Sequence, residues 1–359
     1  MSSDDRRILE RVYLEFVEGT SSKFYAILRV GHADGTQSVR FNFGRIGWPR
    51  DWDDRVRRVS PAAASTAFTS LVGEKRRKGY RDAAWPESLP EPVEDADPLA
   101  SPFVSTIAGV LPGAGAAIVG GVALPTGSLV KSDLSFAAVT VPALWLTNEP
   151  IQRVGAVWAQ LASAFSATGL WPIVVDNPDL GDVLGDPAPA AAGSVAEILH
   201  AAWEANLGDA GEEASEELSP FSRGFPGVAS PTTGSSSASV FEEVAAQLEG
   251  RIGLVAVARP ADTVATLGWQ GWANYGSDPG QMAAVFRSWE ERFGAVLMGL
   301  GFDTLVFATA RPPRNQAESI PIAAEHTAVC PDNIWQGAGT VREYAASLVH
   351  ARAWTFWWD

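Results

Sequence analysis

Residues 83–102 read AAWPESLPEPVEDADPLASP, in which prolines and acidic residues follow one another without any apolar periodicity. Proline breaks both a helix interior and a central strand, so no packed element can run through this stretch. It therefore divides the chain into two folding units, as a length of 359 residues also favours. The expected organisation is a small domain over 8–83, a Pro/acidic linker over 84–104, and a larger domain over 105–359. Charge divides at the same place. Residues 1–85 hold 16 Lys/Arg against 11 Asp/Glu, while the remainder holds 11 against 31. A basic module joined to a strongly acidic one points to different partners for each, although solubility accounts for much of the acidic surplus.

The first domain is patterned as α+β. Val12, Leu14 and Phe16 alternate with Tyr13, Glu15 and Val17, the period of a half-buried strand. Two further strand-like runs, 23–30 and 37–43, flank His32–Thr36, and Asp34-Gly35 between them signals a hairpin because Gly accepts positive φ. The third run puts Val39, Phe41 and Phe43 on one face and Arg40 and Asn42 on the other. A helix then opens at Ser60-Pro61, a good cap followed by a residue whose missing N–H is harmless there. Ala64, Phe68, Leu71 and Val72 share one helical face. Lys75-Arg76-Arg77-Lys78 complement the C-terminal end of the dipole, and Gly79 stops the helix.

The third strand runs into FGRIGWPRDW, residues 43–52. Arginine presents a planar fork that matches phosphate oxygens, and flanking glycines let a backbone approach closely. Trp48, Arg50 and Trp52 interleave aromatic faces with charge, as surfaces that bind single strands do. Two structural alternatives stand beside this: Phe43 is in phase with Val39 and Phe41 and can belong to the core, and Arg45 can bridge to an acidic side chain. Asp51, Asp53 and Asp54 also offset Arg50, Arg55, Arg57 and Arg58.

Several spaced elements over residues 10–82 resemble a WGR domain: Lys23-Phe24-Tyr25, Phe43-Gly44-Arg45-Ile46-Gly47, Ala67-Phe68, Glu74-Lys75 and Gly79-Tyr80. The resemblance implies a small antiparallel sheet with a helix, and a surface that contacts DNA near a strand end. It implies Arg45 as a contact to phosphate or to a neighbouring domain, with Lys23 and the basic helix end beside it; together with the reading of the residues themselves, the candidate nucleic-acid-binding residues are Lys23, Phe43, Gly44, Arg45, Trp48, Arg50, Lys75 and Lys78. Position 43 is Phe where the family name has Trp, so a ring face remains while the indole N–H donor is lost. No poly(ADP-ribose) polymerase catalytic region is recognisable downstream.

The second domain alternates helical and strand patterns, consistent with a mixed α/β or α+β fold. Val154, Val157, Trp158, Leu161 and Phe165 form one helical stripe, followed by a strand at 171–175. A strand follows at 251–258. Met282, Val285, Phe286, Trp289 and Phe293 form a second stripe closed by Gly294. Strands at 295–300 and 304–310 turn at Gly301-Phe302-Asp303, Thr340 and Glu343 have capping-box spacing, and a last strand ends the sequence. Residues 208–240, with GEEASEELSP and SPTTGSSSAS, read as a flexible acidic, Ser-rich insertion. The motifs TGLWPI at 168–173, RPAD at 259–262, SWE and RFG within 288–294, EH with CPDN within 325–333, and WTFWWD at 354–359 resemble domain of unknown function 4253, a family found widely in actinobacteria. That resemblance implies no activity.

Direct search for chemistry gives weak catalytic candidates only: Glu325, His326, Cys330 and Asp332. A Cys–His pair can supply a nucleophile and a base, but spacing alone identifies no group to orient them. The alternatives are a buried apolar Cys330 and a hydrogen-bonded His326 at a helix end. Two ligands do not make a zinc site, and one cysteine rules out an internal disulfide. The glycines of 110–121 have the wrong spacing for a dinucleotide fingerprint and read as a turn. Most of the tryptophans are expected in the core, with Gly268–Tyr275 and Asn333–Gln336 as candidate groove linings.

No cofactor and no metal are expected. The start MSSDDRRILER lacks a secretory apolar region, and glycines and prolines break the most apolar stretch, 107–130, so no membrane partner is expected and a cytoplasmic location is. The expected function is a non-enzymatic two-domain binding protein, its first domain contacting DNA, another nucleic acid or a charged partner, its acidic domain contacting protein. The alternatives are an immunity or inhibitor protein that caps a basic toxin or nuclease, and an enzyme whose site lies in the second domain.

Overall fold

Strand β1 (Arg7–Glu18) pairs antiparallel with β2 (Ser21–Gly31) along its whole length, from Arg7 opposite Gly31 to Glu18 opposite Ser21. The computed structural model of the chain describes residues 7–19, 21–31, 37–47, 52–86, 89, 101–134, 139–176, 180–191, 193–207, 214–221, 224–232, 239–276 and 278–359. These fall in two units, Met1–Glu94 and Asp95–Asp359. The expected hairpin turn at 32–36 lies outside the described residues.

In the first unit β3 (Gln37–Arg45), β4 (Asp53–Val59) and β5 (Arg81–Asp82) complete an antiparallel sheet of order β4-β3-β2-β1-β5. Helix α1 (Pro61–Arg77) starts where Ser60 accepts a hydrogen bond from the Ala63 N–H and ends before Gly79, whose φ is +90°. Its face of Ala64, Phe68, Leu71 and Val72 packs on Leu14, Tyr25, Ile27 and Val39. Each large side chain buried there contributes about 1.5–3 kcal/mol. The opposite sheet face is also covered. Tyr13, Phe24 and Ala26 pack with Leu89, and Trp52 stacks on Trp85 at 6.2 Å. Trp85 and Leu89, within the stretch expected as linker, thus pack onto this face of the sheet. Strand β4 escapes a periodicity reading because DDRVRRV looks like a charge run; pairing with β3 makes it a strand.

In the second unit the described strands form one mixed sheet. They are β6 (Gly115–Val119), β7 (Val122–Leu134), β8 (Val139–Thr147), β9 (Leu170–Val175), β10 (Arg251–Ala256), β11 (Ala295–Leu300), β12 (Thr304–Thr309) and β13 (Ala353–Trp357). Their order is β13-β12-β11-β9-β10-β8-β7-β6. Only β9 and β11 pair in parallel among them. Glycines 120 and 121, both at positive φ, turn a hairpin between β6 and β7, so the turn expected within 110–121 lies between two strands that the sequence pattern missed.

Helices α2 (Val154–Thr168), α3 (Val195–Leu207), α4 (Ala214–Glu217), α5 (Ser239–Ala245), α6 (Thr263–Leu267), α7 (Pro279–Phe293), α8 (Gln316–Val329) and α9 (Val341–Leu348) complete the described part of the unit. The stripe of α2 buries Trp158, Leu161 and Phe165 against Trp171 of β9. Helix α7 buries Phe286, Trp289 and Phe293 against Phe307, Trp354 and Phe356. Thr340 caps α9 by accepting from the Glu343 N–H. Of the tryptophans foreseen as core or groove, 269, 272, 289, 354 and 358 are buried, Trp335 is half-buried, and Trp357 is exposed. Among the described residues no helix is long and apolar enough to cross a membrane.

Candidate nucleic-acid interface

In the register of β2 and β3, Lys23 lies opposite Arg45, Phe24 opposite Gly44, and Tyr25 opposite Phe43. Alternation along each strand sends Lys23, Tyr25, Phe43 and Arg45 to one sheet face, the face that α1 covers further along. The rings form a stacked platform. Tyr25 lies 5.5 Å from Phe41 and 5.7 Å from Phe43, and Phe41 lies 6.2 Å from Phe43. Tyr80, just beyond the helix, meets Tyr25 edge-on and packs on Phe16. Phe43 therefore takes up both alternatives that the sequence left open: it stacks inward yet remains 38% exposed at the end of the platform.

Cations surround that platform. Lys23 and Arg45 are exposed, and among the described residues neither has an ion-pair partner. Lys75 sits 4.2 Å above the Tyr25 ring and 3.4 Å from Glu74, which also holds Lys78 at 2.7 Å. These contacts hold the Glu74 carboxyl below its usual range, the hydrogen bond from Lys78 being the largest cause. Gly44 continues the strand opposite Phe24, whereas Gly47 takes φ +84° in the turn that follows. Trp48 and Arg50 lie outside the described residues.

In the second unit the four catalytic candidates occupy the interior. The Glu325 carboxylate accepts from both terminal nitrogens of Arg292 at 2.6 and 2.7 Å, from Trp289 Nε1 at 2.8 Å and from the Ala229 N–H at 2.6 Å. Arg292 also donates to the Ala229 carbonyl. Residues around Ala229, within the stretch expected as a flexible insertion, are thereby tied to the core. These four donors match the lone-pair sites of an ionised carboxylate.

His326 packs edge-on or tilted among Trp289, Trp354 and Phe356 at 4.5–4.9 Å, and its Nδ1 lies 3.1 Å from the Tyr344 hydroxyl. Burial, aided by the charge of Arg292, lowers its pKa to about 3, so the ring is neutral. Cys330 caps α8 and donates its thiol to the Trp357 carbonyl, and burial pushes that thiol up to about 12. Asp332 accepts from Tyr275, Gln336 and the Asp359 N–H. Each candidate has structural partners, although the buried His326 Nε2 has no hydrogen-bond partner, and the Cys330 thiol is directed to the Trp357 carbonyl and not to the His326 ring. Among the described residues no group of three or more His, Cys, Asp or Glu is placed to hold a metal ion.

The sequence reading gave no role to a second buried node. Glu290 accepts from the Ala261 N–H at 2.7 Å and from Arg259 at 2.9 Å. Burial pushes its carboxyl up to about 7, against the opposing charge of Arg259. The available signal was Glu290 and Arg292 standing beside Trp289 and Phe293 in a helix whose stripe must be buried. A charge at such a position needs a partner brought by the fold.

A family model for the WGR domain matches residues 10–86, and one described as Domain of unknown function (DUF4253) matches residues 251–359. The WGR domain is in general a nucleic-acid-binding module, and the second family carries no assigned function. No curated protein and no solved structure matches the chain.

Proposed function

We propose that this chain is a two-domain binding protein whose WGR unit engages nucleic acid, near strand ends or exposed phosphates, through Lys23, Phe43, Gly44 and Arg45. One observation carries the reading: Lys23 and Arg45 face each other across an antiparallel pair, beside a half-exposed ring. Like charges directly opposed in a sheet cost stability. An anion laid between them removes that cost, and Phe43 offers a flat face to a base or sugar beside it. Lys75 and Lys78 extend the positive surface at the end of α1.

The test is binding to a 5′-phosphorylated oligonucleotide duplex at two salt concentrations. Arg45→Ala is expected to weaken binding and lower the salt slope by about one. Equal binding by the variant, or no binding by wild type at low salt, overturns the reading. For the second unit a protein partner is supported by charge: residues 95–359 hold 11 Lys/Arg against 28 Asp/Glu, a surface complementary to a basic protein. An immunity or inhibitor role is one form of that reading, tested by pull-down with the native partner. An enzymatic role for Glu325, His326, Cys330 and Asp332 is the alternative reading, and their burial speaks against it.

A further inference from the structure

Between the start of α2 and the turn after α5 the second unit holds a cavity of about 480 Å³, within the size range of small-molecule sites. Two segments form it, 150–156 and 246–250. The Ile151 N–H donates to the Gly250 carbonyl at 2.9 Å. At Gly155 the two segments meet so closely that a Cβ there would lie 2.4 Å from the Ala245 carbonyl oxygen. Backbone contacts therefore fix the walls before a ligand arrives. Ile151, Val154 and Leu248 line the cavity with apolar side chains, while Arg153 and Glu249 line it with opposite charges. Both charged residues are exposed, and among the described residues neither has an ion-pair partner.

We propose that this cavity binds a free α-amino acid with an apolar side chain, its carboxylate on Arg153 and its ammonium on Glu249. Two opposite charges that line one cavity without pairing match a ligand that carries both signs. A simple anion would meet Glu249 and a unit with 28 acidic residues against 11 basic ones, and a simple cation would meet Arg153. The placement of Arg153 agrees. It precedes α2 at the positive end of the helix dipole, with φ +57° and no side-chain cap. A cation is disfavoured there, and a ligand carboxylate offsets that disadvantage while gaining a charge-assisted hydrogen bond. The apolar walls leave the ligand side chain a surface to bury against.

The experiment is calorimetric titration of the full chain with leucine, glycine, N-acetyl-leucine and leucinamide. Leucine is expected to bind, and glycine more weakly because it buries no side chain. Each blocked form lacks one charge and is expected to lose about tenfold in affinity or more. Arg153→Gln should weaken leucine and leave leucinamide unchanged, because leucinamide has no carboxylate to lose. Glu249→Gln should weaken leucine and leave N-acetyl-leucine unchanged for the matching reason. Both side chains are exposed, so the circular dichroism spectrum should not change in either variant. No binding of leucine at millimolar concentration overturns the proposal, as does equal binding of leucine and its blocked forms. A folded Arg153→Gln or Glu249→Gln protein that binds leucine like wild type overturns it too.

Discussion

Arg292 and Glu325 form a bidentate ion pair in the interior of the second unit, 33 residues apart in sequence and joined through the backbone of Ala229. Removing one partner leaves the other charged and unpaired. Arg292→Leu is therefore expected to destabilise this unit by about 3–5 kcal/mol. Denaturant unfolding of the full chain measures the loss, and the Ala229 amide should exchange faster in the variant. A change below about 1 kcal/mol refutes the structural role given to the pair.

For Lys23 and Arg45 the predicted effects on stability and on binding have opposite signs. Lys23→Ala relieves a like-charge cross-strand pair and is expected to raise the stability of the first unit by a few tenths of a kcal/mol. The same change should weaken nucleic-acid binding. Thermal melts and fluorescence anisotropy on one preparation decide it. Losses in both would mark Lys23 as a structural residue.

Glu74 holds both Lys75 and Lys78. Glu74→Gln is expected to release the two ammonium groups, tightening nucleic-acid binding severalfold at low salt and steepening its salt dependence. Titrations at two ionic strengths test this. Weaker binding by the variant would show that the carboxylate positions the lysines instead of occupying them.

His326 and Glu290 give the second unit opposing pH dependences. The folded pKa of His326, about 3, lies below its unfolded value. Its contribution is complete above about pH 6.5 and is lost as pH falls, at about 1.4 kcal/mol per pH unit. Glu290, pushed up to about 7, favours the folded state at low pH, and that contribution is lost as pH rises through 7. Between about pH 4.5 and 6.5 the two slopes oppose and largely cancel, so Glu290→Gln should leave stability rising with pH there and His326→Phe should leave it falling. Unfolding curves from pH 4.5 to 8 separate the two, and unchanged slopes refute both assignments.

Cys330 is buried, and its thiol is pushed up to about 12. A maleimide reagent at pH 8 is expected to react only as fast as the second unit opens. Fast labelling of the native chain would contradict the burial of Cys330.

The sequence by itself determined the elements whose cause is local. Ser60-Pro61 opened α1 and Gly79 closed it, the stripes of α2 and α7 set their buried faces, and Gly301-Phe302-Asp303 turned β11 into β12. Strand parity along β2 and β3 was also readable, and it puts Lys23 and Tyr25 on one face and Phe43 and Arg45 on one face. Long-range pairing decided the rest. Strand β4 is a charge run until β3 lies beside it, and β6 to β8 carry too many glycines and prolines for alternation to show. Lys23 meets Arg45 only because β2 and β3 pair in one register, and Glu325 gains its partners only because Arg292, Trp289 and Ala229 converge on it. A charge's role depends on the partner that folding brings to it, and for these residues the partner lies across a strand or on another element.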